Sequence, residues 1–523
     1  MPNRSTDSLF QLVKSLEKSE KRNFKLYVKR NSATVDLKII QLFDALDKMA
    51  QYDEEMLLRR NKSIKKQQLS NLKAHLYRQL LTSLRLLNND ENIDIQLHEQ
   101  MDHARILYNK GLYLQSLKVL EKIKENARAH NQLTFLLQAL FFEKKIEGLH
   151  ITRSMQDRAD QLTQEVNDVN YRLQMVSQLS NLSLQLYSWY IKNGHARNEK
   201  DEIAVRQFFE EHLSFDVQSI TGFYEKLYLY QSYCWYAFIR QDFLMYYRYA
   251  QKWVDLFERE PFMIEVETAH YIKGMHNLLG AHFDLQNHSK FRETLKKLED
   301  FAAWNVVLNN ENNRIQVFIY LHIAKLNKHF MEGTFTSGLE LVPEIEKNLQ
   351  EYLISLDRHR ILVFYYKIAS LYFGSGKYDV AIGYLNKIIN WKVDLRTDLQ
   401  CYSRLLHLIA HYELGNVEIL EYLTKSVFRF MSKMENLSIV EKEIFSFIRR
   451  SFRLSPGSLK PEFENLLEKL RQLQKNHTEA RAFAYLDIIS WLESKIRNVP
   501  VQDVIREKYL NTIRKDKKQE LIK

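Results

Sequence analysis

Histidines at helical spacing are the first residues to test for chemistry. The run His98-Glu99-Gln100-Met101-Asp102-His103 resembles a zinc-protease helix, but its histidines are five residues apart. At about 100° per residue they point in opposing directions, so one metal cannot sit between them. His407 and His411 are four apart, with Glu413 nearby, and two histidines are too few for a closed metal site. His270, His276, His282 and His288 recur every six residues, which turns each by about 240° and scatters them around a helix. Packing or solvent is their expected place.

Aromatic residues are the second candidate. Residues 223–257 hold fourteen of them, 40% against 12% for the chain, too many for one buried stripe. Some are expected to line a surface, because Tyr and Trp anchor peptides well. Tyr230, Tyr233, Trp235 and Tyr246 are therefore candidate groove residues, and Arg240, Arg248 and Lys252 among them would also permit stacking of single-stranded bases. Core packing is the expected use for most of the rest.

Charge is the third. The chain carries +11, with +8 in residues 1–90 and +5 in 495–523, leaving −2 for everything between. Within 56–89 there are eight bases and no acid: Arg59, Arg60, Lys62, Lys65, Lys66, Lys73, Arg78 and Arg85. Such a block is either an electrostatic footprint for an anionic partner or the solvated face of a terminal cap. No phosphate-binding glycine loop, dinucleotide fingerprint or nucleophile elbow occurs, so no enzyme and no cofactor is expected.

Helices must position all of these residues. Gly and Pro together number 19 in 523 residues, too few for a fold that needs a turn signal every 8 to 12 residues or so. An all-α chain follows. The two cysteines, Cys234 and Cys401, support neither a disulfide framework nor a zinc site, and the N-terminus lacks an apolar signal core. With no stretch of 18 uncharged apolar residues, no membrane span is expected and a cytoplasmic location is.

The first ninety residues read as a basic helical module, 1–92, opening at a Ser5 or Thr6 cap. A short helix over Asp53 to Arg60, a basic turn and a long helix from near Lys65 suggest either a cap or a helix-turn-helix, with Lys66, Asn71, His75, Arg78 and Arg85 facing nucleic acid. From 93 to 454 turn candidates fall near Gly111, Ser154, Gly194, Gln241, Ser289, Gly333, Gly376 and Gly415, at steps of 39 to 48 residues. That period holds two helices and two loops, as in a helical-hairpin solenoid. Residues 455–523, beginning Ser455-Pro456-Gly457 and including AFAYLDIISWLESKI, read as a helical cap and basic tail that close or extend the array.

One unit carries a family pattern. In VFYYKIASLYFGSGKYDVAIGYLNKIINW, the residues Tyr365, Ile368, Ala369, Tyr372, Gly376, Tyr378, Ala381, Leu385 and Ile388 stand at the type and spacing of a tetratricopeptide repeat, which the segment resembles. A second match surrounds Gly111, Tyr113, Ser116, Leu120 and Ile123, and a third Leu405, Leu408, Ile409 and Tyr412 before Gly415. The resemblance implies a right-handed α-α superhelix whose concave face holds a protein or peptide segment, with Tyr366, Ser370 and Phe373 in the groove. One subclass of that family clamps an acidic C-terminus with Lys and Asn on the first helices. Tyr366 and Ser370 stand at those positions here, which implies an apolar or aromatic ligand instead. The leading expectation is a non-enzymatic interaction scaffold; the alternative is a regulator whose basic module binds nucleic acid through residues 56–89.

Overall fold

The computed structural model describes all residues except 1–6, 31–35, 62, 88–91, 151–156, 197–198, 214–216, 218–219, 354, 392–396, 435–438, 452–455, 475–486 and 521–523. The expected Ser5 or Thr6 cap, the Ser154 turn, Lys62, Ser455 and residues 482–486 lie outside the described residues. Among those described there is no strand, and no helix is long and apolar enough to cross a membrane. The chain forms two compact units, 1–170 and 171–523, dividing within the segment that the repeat rhythm reads as one array.

In the first unit, α1 (Ser8–Ser15), α2 (Lys18–Arg30), α3 (Asp36–Lys48), α4 (Glu54–Arg60) and α5 (Lys66–Leu87) enclose a core of their own. Apolar residues at helical spacing build it. Phe24 meets Phe43 at 5.0 Å, and Leu69, Leu72, Leu76 and Leu80 of α5 are buried against them. Asp7 caps α1 by accepting the Phe10 N–H, and Asp53 caps α4 by accepting that of Met56. The α5 helix thus packs inside its own module, on α1, α2 and α3. Next come α6 (Ile93–Asn109), α7 (Tyr113–Ala129) and α8 (Leu133–His150), with α6 packed on α7 and α7 on α8. Buried Ser116 lets α6 and α7 approach, its hydroxyl donating to the Ala104 carbonyl at 2.8 Å. The unit boundary falls within α9 (Arg158–Asn193).

The second unit continues with α10 (Glu199–His212), α11 (Phe223–Arg240), α12 (Phe243–Arg259), α13 (Phe262–Val266), α14 (Thr268–Asp284), α15 (His288–Phe301), α16 (Asn305–Leu308) and α17 (Glu311–Glu332). It goes on through α18 (Phe335–Gly338), α19 (Val342–Glu351), α20 (Arg358–Gly374), α21 (Tyr378–Ile389), α22 (Thr397–Glu413) and α23 (Val417–Lys433). Last come α24 (Ile439–Ser451), α25 (Pro456–Gln474), α26 (Ile488–Arg497) and α27 (Val501–Glu520). Helices pack in neighbouring pairs, α11 on α12, α14 on α15, α20 on α21 and α22 on α23. The first helices of successive pairs also touch: α14 on α17, α17 on α20, α20 on α22. A single apolar core runs from Phe223 to Leu492, and Ala369 and Ala381 are fully enclosed in it.

Turn chemistry explains the pair boundaries. Gly111, Gly194, Gly333, Gly376, Gly415 and Gln241 all adopt left-handed backbone. At Gly376, with φ +80°, the chain reverses in open space, and only the backbone angle asks for glycine there. The expected turn at Ser289 is corrected to Gln286, φ +53°, because Asn287 caps α15 by accepting the Lys290 N–H. Asn131 and Asn498 form two further left-handed turns without glycine. Trp491 and Lys495 of α26 reach Glu413 at the end of α22, and α27 lies against α17.

Candidate functional site

Beside the buried face of each first helix runs a second stripe that is partly or fully buried. On α14 the residues Tyr271, Ile272, Met275, Leu278 and Leu279 are buried, which leaves Lys273, His276, Gly280 and Asp284 at steps of three or four. The same spacing on α17 gives Gln316, Tyr320, Ile323 and Asn327, of which Tyr320 and Asn327 are buried, and on α20 it gives Arg360, Val363 and Lys367. Because these three helices are neighbours, the stripes adjoin.

At their centre is the Tyr320 ring. His276 stacks on it with centroids 4.3 Å apart and planes 23° apart. Lys273 Nζ lies 5.2 Å from its centroid and the Arg360 guanidinium 5.9 Å, both within cation–π range. Lys367 donates to Asn327 Oδ1 at 2.6 Å and stands 5.4 Å from the Phe330 ring. Asp284 is the acid of the group, and Arg360 has a second carboxylate, Asp357, at 3.2 Å.

The electrostatics agree with that placement. Burial holds His276 well below its ordinary value, and Lys273, Lys367 and Arg360 each push it further the same way, so it is neutral at pH 7. Burial pulls Lys367 down to about 8, against the attraction of Asp284. Burial pushes Asp284 up to about 7, with Lys367 opposing. Lys273 and Arg360 therefore flank the Tyr320 ring, while Lys367 lies against Phe330 with a carboxyl that is only partly ionised beside it. This arrangement can hold an anionic group by charge-assisted hydrogen bonds and can stack a flat one.

The residues expected from sequence are distributed differently. Of the expected groove residues Tyr246, Tyr366 and Phe373 are buried in the apolar core, as Tyr320 is. Half-buried Tyr233 stacks on Tyr249 at 4.0 Å with planes 2° apart, and Tyr230 lies 6.1 Å from the same ring. Trp235 sits apart from them, 5.0 Å from Tyr187 and 5.6 Å from Tyr190 of α9. The Ser370 hydroxyl donates to the Tyr366 carbonyl. The density of rings in this region comes from α11 packing on both α9 and α12.

Of the basic block, Arg59, Arg60, Lys65, Lys66 and Arg78 are exposed. Arg59 has Glu55 at 3.4 Å one helical turn away, and Arg85 has Asp102 at 3.3 Å. Lys73 is structural instead: it bonds Asp7 and, at 2.8 Å, the Tyr52 hydroxyl. A second basic stripe, Lys18, Lys21, Arg22, Lys25 and Lys29 around exposed Leu26, lines a shallow depression on α2. Lys21 and Lys25 there are paired with Asp47 and Asp44, each at 2.7 Å. Its spacing of three and four residues was the available signal. Among the described residues no cluster of three or more metal-ligating side chains occurs, and His407 and His411 face one another at 4.5 Å. The chain matches no protein-family model and no curated protein.

Proposed function

We propose that the chain is a non-enzymatic protein-interaction scaffold, a tetratricopeptide-like stack of helical hairpins wound as a right-handed superhelix. Its inner face, formed by α14, α17 and α20, holds an acidic segment of a partner protein. The observation that carries this reading is the convergence of Lys273, Arg360 and Lys367 around Tyr320 and His276. Cations held against aromatic rings at the contact of three packed helices are prepared for carboxylates without further ordering. Asn327 adds an amide beside Lys367. The apolar ligand implied by Tyr366 gives way to an anionic one, because Tyr366 is buried in the core while its neighbour Lys367 reaches Asn327 of α17. Fluorescence anisotropy with a labelled Asp/Glu-rich peptide tests the reading; a lysine-rich peptide of equal length is the control.

A second reading is favoured by the exposed Arg59, Arg60, Lys65, Lys66 and Arg78: the N-terminal module binds nucleic acid while the array senses a partner. Salt titration of DNA and RNA binding separates the two, since a phosphate interface loses affinity steeply with salt.

A further inference from the structure

The hairpin of α11 and α12 encloses a small cavity away from the Gln241 turn. Lys226 and Tyr230 of α11 stand at i and i+4, and Lys252, Leu256 and Arg259 of α12 at i, i+4 and i+7, so each helix offers one face to the space between them. The cavity measures about 140 Å³, room for about five water molecules at about 30 Å³ each. Buried Leu256 gives it an apolar lining. Next to Tyr230, Tyr249 stacks on Tyr233 at 4.0 Å, and Lys252 Nζ is held 5.0 Å from the Tyr249 ring centroid. Asp255 and Glu260 also border the space, but Asp255 Oδ1 accepts from Gln251 Nε2 at 2.7 Å and its charge acts on Lys297 of α15. Among the described residues Lys226, Lys252 and Arg259 make no ion pair. Burial raises the Tyr230 phenol above its ordinary value, against the pull of Arg259, so its hydroxyl is a donor at pH 7.

We infer that this cavity is a binding site for a phosphoryl group, carried by a small molecule or by a phosphorylated side chain, and separate from the α14–α17–α20 face. What its lining lacks is negative charge: three cations from two helices and one phenol share a space in which no carboxylate pairs with them. A phosphoryl group brings a charge of about −1.5 to −2 at pH 7 and three acceptor oxygens, one for each cation. A carboxylate has two oxygens in one plane and would leave a cation unserved. The size agrees, since the cavity admits a tetrahedral group with some water and excludes a folded segment. Packing of α11 on α12 and the ring contact under Lys252 fix part of the donor set before the ligand arrives, which lowers the ordering cost of binding.

The test uses the full chain with Lys273→Gln/Lys367→Gln as parent, so that cations of the α14–α20 face do not contribute and failure of an acidic-segment site there leaves this one testable. Calorimetric titration with inorganic phosphate at low salt should show binding that acetate at equal ionic strength does not reproduce. Adding Lys226→Gln/Arg259→Gln should weaken it at least tenfold, and adding Lys252→Gln alone at least threefold. Lys252 and Arg259 are exposed and Lys226 half-buried, so no core residue changes. Phosphate should slow hydrogen exchange in residues 223–230 and 252–260 of the parent and not of its Lys226→Gln/Arg259→Gln derivative. A phosphoserine peptide binding at least tenfold more tightly than phosphate assigns the group to a protein partner; binding no tighter than phosphate assigns it to a small molecule. No phosphate binding by the parent, or equal phosphate binding by the parent and its Lys226→Gln/Arg259→Gln derivative, would overturn the inference. Should the parent fail to fold, the same exchange comparison in the wild-type background decides.

Discussion

Tyr366 and Lys367 are consecutive in α20 and face different environments. The tyrosine is 7% exposed in the core, while the lysine Nζ reaches across to Asn327 at 2.6 Å. The step of about 100° between neighbours separates them. Tyr366→Ala should therefore cost about 3–5 kcal/mol, the range for removing a buried aromatic side chain. Lys367→Met should cost about 1–3 kcal/mol, the range for leaving the buried Asn327 oxygen without its donor. Urea denaturation of both variants checks the contrast.

Asp284 makes the stability of this region depend on pH with a definite sign. Its ordinary value is 3.8, and burial raises it to about 7 in the folded chain. Between those values the folded protein holds a proton that the unfolded chain has lost, so the stabilisation is complete below 3.8 and is lost as pH rises toward 7. His282 and His407, both lowered to about 4 by burial, act oppositely: they cost stability as pH falls from 6.5. The difference between Asp284→Asn and wild type isolates the carboxyl. The melting temperature of the variant relative to wild type should climb through this window and level off above pH 7; a flat difference would contradict the assignment.

A buried ion network should govern the first unit. Lys124, 1% exposed, contacts Glu143 at 2.6 Å and Glu121 at 2.7 Å, while Arg158 bonds Glu143 from the other side. Glu143→Leu leaves the buried Lys124 only the half-exposed Glu121 and should cost up to about 3 kcal/mol, below the range for a fully unpaired buried charge. The double variant Lys124→Met/Glu143→Leu should recover most of that loss. Hydrogen exchange in α7 and α8 reads both.

Exposed and structural cations of the N-terminal module should separate by mutation. Replacing Arg59, Arg60, Lys62, Lys65 and Lys66 with Gln should leave helicity intact and abolish any nucleic-acid binding, each lost phosphate contact lowering the salt slope by about 0.7–0.9. Lys73→Gln should instead lower stability, because it unties Asp7 and Tyr52. If the unaltered protein binds no nucleic acid at low salt, the second functional reading fails.

The helical class, the neighbouring pairs and most turns were legible because they depend on local signals: scarce Gly and Pro, apolar spacing, and glycines such as Gly376 and Gly415 at left-handed positions. The turn expected near Ser289 lies three residues earlier, at Gln286, and those at Asn131 and Asn498 escaped because Asn adopts the left-handed backbone without the glycine marker. The candidate site escaped for a different reason. Lys273, Tyr320 and Lys367 are separated by 47 residues at each step, and only packing of α14, α17 and α20 brings them together. Aromatic density pointed to residues 223–257, where two-sided packing of α11 consumes the rings. The α27 contact at Gly333 likewise depends on chain segments more than 160 residues apart.

Binding of a labelled acidic peptide to wild type and to Lys273→Gln/Lys367→Gln tests the central claim most directly. The double substitution removes two of the three converging cations without altering a core residue. Wild type should bind the acidic peptide in preference to the basic control, and the variant should bind at least tenfold more weakly, with the Arg59-to-Lys66 variant unaffected. Equal affinity of wild type and Lys273→Gln/Lys367→Gln, or no binding by wild type at low salt, would contradict the account.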